Sequence, residues 1–190
     1  TIALQLGATV NAILDEVREL DVDVPLVVMC YYNTVFRAGH ERFASLAKKA
    51  GVSGVIVPDL PLEESAPWCA AADAAGLATV MLAAPTAPDA RLPLIAQRSR
   101  GFVYAVGLLG ITGERETLAS SATTIARRVK DATDLPVLVG VGVSDAAQAV
   151  EACSVADGVI QGAAIMRRLL DEGAESVGTF VADVRRALDE

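Results

Sequence analysis

The chain has 190 residues, of which 53% are hydrophobic and only 4% are aromatic. This length allows one domain with a sizeable core, built mainly from Ala, Val, Leu and Ile. The net charge is −8, from 16 basic and 24 acidic residues, which argues against nucleic acid as a partner because an acidic surface repels a phosphate backbone. No apolar run approaches the length of a membrane span.

Two patterns alternate along the chain. Short apolar runs rich in β-branched residues predict buried strands, and there are six of them, at residues 25–30, 54–57, 78–82, 102–106, 136–140 and 158–161. Apolar residues spaced at i, i+3, i+4 and i+7 predict helices over residues 10–17, 43–50, 122–129, 146–153 and 177–188. The alternation predicts a parallel sheet with right-handed crossovers.

Two closures of that sheet fit the pattern, a doubly wound open sheet and a closed barrel. A (β/α)8 barrel needs eight units and about 250 residues. As a barrel, the chain would therefore lack two units. They would be missing at the front, because Thr1 leads almost directly into a helix without a preceding strand.

The three cysteines and the single histidine limit the possible sites. Cys30, Cys69 and Cys153 are far apart and each lies in an apolar run, which is typical of buried reduced thiols in a cytoplasmic protein. His40 alone cannot build a histidine metal site. A small phosphorylated ligand is compatible with the negative charge, because backbone N–H groups and helix termini can bind it locally.

Glycines after the last strands favour such a ligand. Reactive groups of parallel α/β folds lie beyond the C-terminal ends of the strands, and a barrel binds phosphate with the loops after strands 7 and 8 and a short helix. If the six strands are numbers 3 to 8, Gly142 and Gly162 lie on those loops and Ala163 begins the helix. Glycines after strands are otherwise ordinary turn residues.

Two other side chains at strand ends are candidates. Asp59 is the one acid directly after a strand, and it is either a base or, as its position favours, the cap of a helix starting near Leu62. Tyr104 shares a strand face with Phe102, and although core packing explains both rings, the Tyr104 hydroxyl requires a polar partner.

Six stretches, in order, resemble the tryptophan synthase α subunit: residues 29–33, 57–64, 83–86, 103–105, 110–113 and 139–144. The Pro-Asp-Leu-Pro-x-Glu-Glu and Gly-Ile-Thr-Gly stretches together are specific, and the match covers nearly the whole chain. The resemblance implies an α/β fold, a (β/α)8 TIM barrel that is incomplete here, with strands 3–8 present. Residues 1–190 would form a single barrel domain that lacks the first two β/α units.

The resemblance implies a lyase of tryptophan biosynthesis that cleaves indole-3-glycerol phosphate into indole and glyceraldehyde 3-phosphate. The retro-aldol reaction needs no cofactor and no metal, and two carboxyl groups divide general-acid and general-base work. In the family both carboxyl groups precede the match to Thr1. The catalytic Glu and Asp are therefore expected upstream of Thr1, and the chain alone is expected to be inactive. The implied partner is the β subunit, in a cytoplasmic α2β2 heterotetramer.

Position by position, the resemblance assigns residues to four roles. Supporting roles in catalysis fall to Tyr104 and Thr112. The substrate phosphate is assigned to Gly113, Gly142, Gly162 and Ala163. The indole pocket is assigned to Met29 and Ile56, and the interface with the β subunit to Asn33 and Pro61. The family usually has Ser where this chain has Ala163, so one hydroxyl contact to the phosphate is lost. It commonly has a polar segment where this chain has residues 107–109, at the start of the loop 107–118.

Two alternatives to this lyase follow from the same residues. One is a non-catalytic phosphate-binding barrel that acts as a partner subunit. The other is a related barrel enzyme that acts on another sugar phosphate.

Overall fold

The structure, a computed structural model, describes residues 5–107, 120–140 and 142–190. Within these ranges lie six strands: β1 Leu26–Met29, β2 Val52–Ile56, β3 Ala78–Ala83, β4 Val103–Val106, β5 Val137–Gly140 and β6 Gly158–Ile160. The α-helices of the same ranges are α1 Val10–Arg18, α2 Tyr32–Ala38, α3 His40–Lys49, α4 Ala66–Ala74, α5 Leu92–Arg98, α6 Ser120–Lys130, α7 Ala146–Cys153, α8 Ala163–Asp171 and α9 Ala174–Asp189. Two 3-10 helices, Leu62–Glu64 and Asp89–Arg91, precede α4 and α5.

All six predicted strands are confirmed, with ends that shift by at most two residues. The five helices predicted from periodicity are confirmed as α1, α3, α6, α7 and α9. The periodicity did not predict α2, because a seven-residue helix is too short to contain the full i, i+3, i+4, i+7 pattern. It also did not predict α5, which is equally short.

Contacts divide the chain into two compact units, of which unit 1 is Thr1–Met81 with Ser99–Gly101. In this unit β1 pairs in parallel with β2, and β2 with β3. The core lies between these strands and α3 and α4, where Phe43 packs edge-on against Trp68 with ring centroids 5.8 Å apart. Val52 and Val55 are fully buried, as expected for strands covered by helices.

Unit 2 comprises Leu82–Arg98 and Phe102–Glu190. Its strands pair in parallel in the order β4, β5, β6. The apolar face of α6, with Ile125 and Val129 fully buried, belongs to the same core as the buried strand residues Val103, Val137 and Val139. In both units the parallel pairing aligns the C-terminal ends of neighbouring strands, and most of the predicted site residues that the structure describes lie at those ends or just after them.

Among the described residues, no helix is both long and apolar enough to cross a membrane. The longest, α9, has 16 residues. That length corresponds to about 24 Å, which is less than the hydrocarbon thickness of a bilayer.

Candidate ligand site

The loops after β5 and β6 begin side by side. Gly140 and Ile160, the last residues of these strands, are Cα partners in the parallel register. Gly142 follows with φ of +97°, a backbone conformation that side chains other than glycine's rarely adopt. Gly162 lies two residues after Ile160 and is the N-cap of α8. The structure therefore brings together three of the residues predicted to bind phosphate: Gly142, Gly162 and Ala163.

The N-terminus of α8 is open to a ligand. Gly162 caps the helix without a side-chain hydrogen bond, and its carbonyl accepts from the N–H of Met166 at 2.9 Å. A Cβ placed on Gly162 would meet no atom of the described residues within 4 Å. Backbone N–H groups in the first turn have no intrahelical partner, and the helix dipole makes this end positive. This arrangement can bind an anion such as a phosphate group.

Hydrogen bonds from side chains hold the loop after β5. The carboxylate of Asp145, the N-cap of α7, accepts from the backbone N–H of Gln148 at 2.8 Å. In return, the side-chain carbonyl of Gln148 accepts from the N–H of Ser144 at 2.6 Å. The sequence analysis did not single out Gln148. The capping-box spacing Asp145-x-x-Gln148, just before an apolar stripe, was the signal that could have found it.

Tyr104 lies in the middle of β4 and is only 6% exposed. Its ring covers the end of β5 so closely that a Cβ on Gly140 would lie 2.2 Å from the Tyr104 hydroxyl. Burial raises the pKa of Tyr104, so the phenol stays protonated at neutral pH. Thr112 and Gly113, the other predicted residues of this region, lie outside the described residues.

Unit 1 carries the two residues predicted for the indole pocket. Met29 and Ile56 end β1 and β2 and are Cα partners, so the structure brings them together. Met29 is 54% exposed whereas Ile56 is buried. Burial, followed by the charge of Asp59, raises the pKa of the thiol of Cys30, next to Met29, to about 11, so this thiol stays protonated at neutral pH.

Asp59 caps a different helix from the one predicted. Its carboxylate accepts from the backbone N–H of Tyr32, the first residue of α2, at 2.7 Å. The 3-10 helix at Leu62–Glu64, which the sequence favoured, starts after Pro61 and has no side-chain cap. The bond to Tyr32 joins the loop after β2 to the loop after β1, 27 residues earlier.

The two residues predicted to face the β subunit lie near this bond. Asn33 is the second residue of α2, Pro61 follows Asp59 by two residues, and both are exposed. The Tyr32 hydroxyl lies 3.0 Å from Nε2 of His40, which fixes α2 against the start of α3. Unit 1 therefore presents Asn33 and Pro61 on segments that Asp59 links.

Comparison with known proteins gives a family for the whole chain. A family model described as tryptophan synthase alpha chain matches residues 1–187. The tryptophan synthase alpha chain of Streptomyces coelicolor is 44% identical over 194 residues, which cover 98% of this chain and 72% of that protein. The corresponding protein of Methanosarcina mazei is 45% identical over 174 residues, covering 91% of this chain and 63% of its own length.

Structural comparison agrees with the sequence comparison. A solved structure of the tryptophan synthase α2β2 complex from Pyrococcus furiosus matches with a TM-score of 0.86 at 36% identity, over 99% of this chain and 77% of that chain. These matches confirm the predicted fold class, a (β/α)8 barrel represented here by six of its strands. The chain belongs to the tryptophan synthase α chain family.

Proposed function

We propose that this chain is the substrate-binding part of a lyase that cleaves indole-3-glycerol phosphate to indole and glyceraldehyde 3-phosphate. The observation that carries the proposal is the open N-terminus of α8 beside Gly142, in a chain of this family. There the phosphate would accept hydrogen bonds from the backbone of Gly142, Gly162 and Ala163. Met29 and Ile56 would provide apolar contacts for the indole ring.

The chemistry requires two proton transfers. One carboxyl group protonates the indole carbon while the bond to the glycerol carbon breaks, and a carboxylate takes the proton of the hydroxyl that becomes the aldehyde. Tyr104, neutral and buried, would line the site rather than exchange a proton. We propose that the acid and the base belong to the two barrel units not represented among the six strands, and that residues 1–190 are part of one barrel domain.

We also propose that the loops after β1 and β2 face a β subunit. Asn33 and Pro61 are exposed on these loops, and Asp59 links them through its bond to Tyr32. The complex named for the Pyrococcus furiosus structure supports an α2β2 assembly as the relevant partner state.

Indole release from indole-3-glycerol phosphate tests the reaction. We expect turnover by the protein expressed from its complete gene, and stimulation by the β subunit, but no substantial turnover by residues 1–190 alone. Family-like rates from residues 1–190 would contradict the assignment of the acid and base to other units. Stimulation of the β subunit without indole release would favour a non-catalytic partner, and cleavage of another sugar phosphate alone would favour a different substrate.

The substitution Ala163→Asp tests the phosphate site. An acidic residue in the first turn favours the helix, so the variant should fold as well as the wild type. The carboxylate would repel the phosphate, and we expect KM to rise about tenfold, which corresponds to a loss of about 1.4 kcal/mol.

Ala174→Asp is the matched control. Ala174 is the exposed first residue of α9, whose N-cap Gly173 also has no side-chain hydrogen bond. The same substitution there should leave KM unchanged, as measured by steady-state kinetics. An unchanged KM for Ala163→Asp would remove α8 from the phosphate site.

A further inference from the structure

Gln148 is a polar side chain that is buried in unit 2. It is 5% exposed and lies in the first turn of α7. Its side-chain carbonyl accepts from the backbone N–H of Ser144, while the backbone N–H of Gln148 donates to the Asp145 carboxylate. A side chain with two polar groups is costly to bury, so its hydrogen bonds constrain both the side chain and the backbone that it contacts.

The constrained backbone is the predicted phosphate loop. Ser144 follows Gly142 by two residues, and Val143 between them is buried with 4% exposure. In the usual capping box the residue at the third helical position reaches back to the N–H of the N-cap itself. Here Gln148 reaches one residue further back, to the N–H of Ser144, which lies inside the loop.

A second glutamine extends the same support to the other loop. Gln161 directly precedes Gly162, and its side-chain amide donates to the carbonyl of Val143 at 3.4 Å. The loop after β6 is thereby connected to the loop after β5 through Val143, the residue between Gly142 and Ser144. The side chains of Gln148 and Gln161 therefore restrain the backbone of the predicted phosphate loops through hydrogen bonds.

We propose that Gln148 is a positioning residue for the phosphate group of the substrate. It does not touch the ligand; it holds the segment from Gly142 to Ser144 so that backbone N–H groups are directed at a phosphate monoester before it binds. The inference rests on the proposed function, since it assumes that this loop binds phosphate. It adds a residue that determines affinity for the phosphate end of the substrate and not for its apolar end.

The experiment uses the protein expressed from its complete gene and compares Gln148→Leu with wild type. The probes are inorganic phosphate, whose dissociation constant is measured by calorimetry, and indole, whose KM is measured in the reverse reaction with glyceraldehyde 3-phosphate. We expect Gln148→Leu to bind inorganic phosphate about tenfold more weakly. Leucine cannot accept a hydrogen bond from the backbone N–H of Ser144, so the loop would no longer be held in its binding conformation. The KM for indole should change less than about twofold, within the effect of a distant substitution.

Two further variants separate positioning from folding. Gln97→Leu is the matched control, an identical change at an exposed site on α5, and it should bind phosphate like wild type. Gln148→Glu keeps an acceptor for the Ser144 amide, so hydrogen exchange at Ser144 should be fast in Gln148→Leu and slow again in Gln148→Glu.

Three outcomes would overturn the inference. If wild type and Gln148→Leu bind phosphate equally, Gln148 does not position the loop, and the proposed function is unaffected. If Gln148→Leu loses indole and phosphate binding to the same extent, the residue only supports the fold. If wild type itself does not bind inorganic phosphate, the phosphate site fails, and this inference fails with it.

Discussion

Gly140, which has no side chain, allows the Tyr104 ring to pack against the end of β5. A Cβ on Gly140 would lie between 2.2 and 2.5 Å from atoms of the Tyr104 ring, and the ring has little room to move because the residue is 6% exposed. We expect Gly140→Ala to lower the free energy of unfolding by about 1–3 kcal/mol, the usual effect of overpacking a core. Denaturant unfolding measures this change.

The control for Gly140→Ala is Gly178→Ala. Gly178 lies inside α9 and a Cβ there meets no atom within 4 Å in the part of the chain that the structure describes, so the same change should stabilise the protein by up to about 1 kcal/mol. Adding Tyr104→Leu to Gly140→Ala should recover part of the lost stability, because the smaller side chain vacates the space. Wild-type stability of Gly140→Ala alone would show that the ring can move freely.

Thr79 in β3 has a buried hydroxyl that finds no hydrogen-bond partner among the described residues. The residue is 1% exposed, so its hydroxyl is also removed from water. Replacing it by valine, which has nearly the same shape, should raise the free energy of unfolding by about 1 kcal/mol. Thr179→Val, at an exposed position of α9, should change it by less than about 0.5 kcal/mol. A lower melting temperature for Thr79→Val would reveal a partner for the hydroxyl.

At the scale of elements, Asp157 connects three of them. Its two carboxylate oxygens accept hydrogen bonds from Nζ of Lys130 at 2.8 and 2.9 Å, and Lys130 is the last residue of α6. It also accepts at 2.7 Å from the N–H of Val137, which begins β5, and Asp157 itself directly precedes β6. The hydrogen bond from Lys130, followed by that from Val137, lowers the pKa of Asp157.

This lowered pKa predicts a pH dependence of stability. A carboxyl group whose pKa is lower in the folded state adds stability above its unfolded pKa, and that stability is lost as the pH falls through the folded pKa. Asp157→Asn should therefore be less stable than wild type at pH 7, and the difference should shrink below about pH 4. Thermal unfolding from pH 7 to pH 2 measures it.

The exposed pair Asp183–Arg186 is the control for Asp157. Asp183→Asn should change the melting temperature little at any pH, because exposed ion pairs contribute little. A constant difference between Asp157→Asn and wild type down to pH 2 would mean that the carboxylate is not the stabilising group.

At the scale of the whole molecule, α8 is one of the elements that expose large apolar side chains. Met166, Leu169 and Leu170 are exposed by 51%, 43% and 78%. Contiguous apolar surface of this kind favours association. We expect residues 1–190 alone to self-associate with rising concentration, and the double substitution Leu169→Lys with Leu170→Lys to reduce it, as measured by sedimentation velocity.

Leu94→Lys is the control for this surface. Leu94 is 55% exposed on α5, where an exposed leucine is not part of the α8 surface. Its replacement should leave self-association unchanged. An equal effect of both changes would point to net charge instead of the apolar surface of α8.

The six strands, five of the helices and the positions of the ligand glycines could be predicted from the residues alone. Strands covered on both faces require unbroken apolar runs, and amphipathic helices require a periodic stripe, so both patterns are local and visible in the residues. Gly142, Gly162 and Ala163 could be predicted because they follow strand ends, and the parallel register of β5 and β6 then brought them together.

Contacts between side chains that are far apart in the sequence could not be predicted in this way and depend on the folded chain. Asp59 caps α2 instead of the nearby 3-10 helix, because the pairing of β1 with β2 places Tyr32 within its reach. Likewise, the closeness of Tyr104 and Gly140 follows from the register of β4 with β5. Register between strands depends on side-chain packing across segments far apart in the chain, and no local pattern records it.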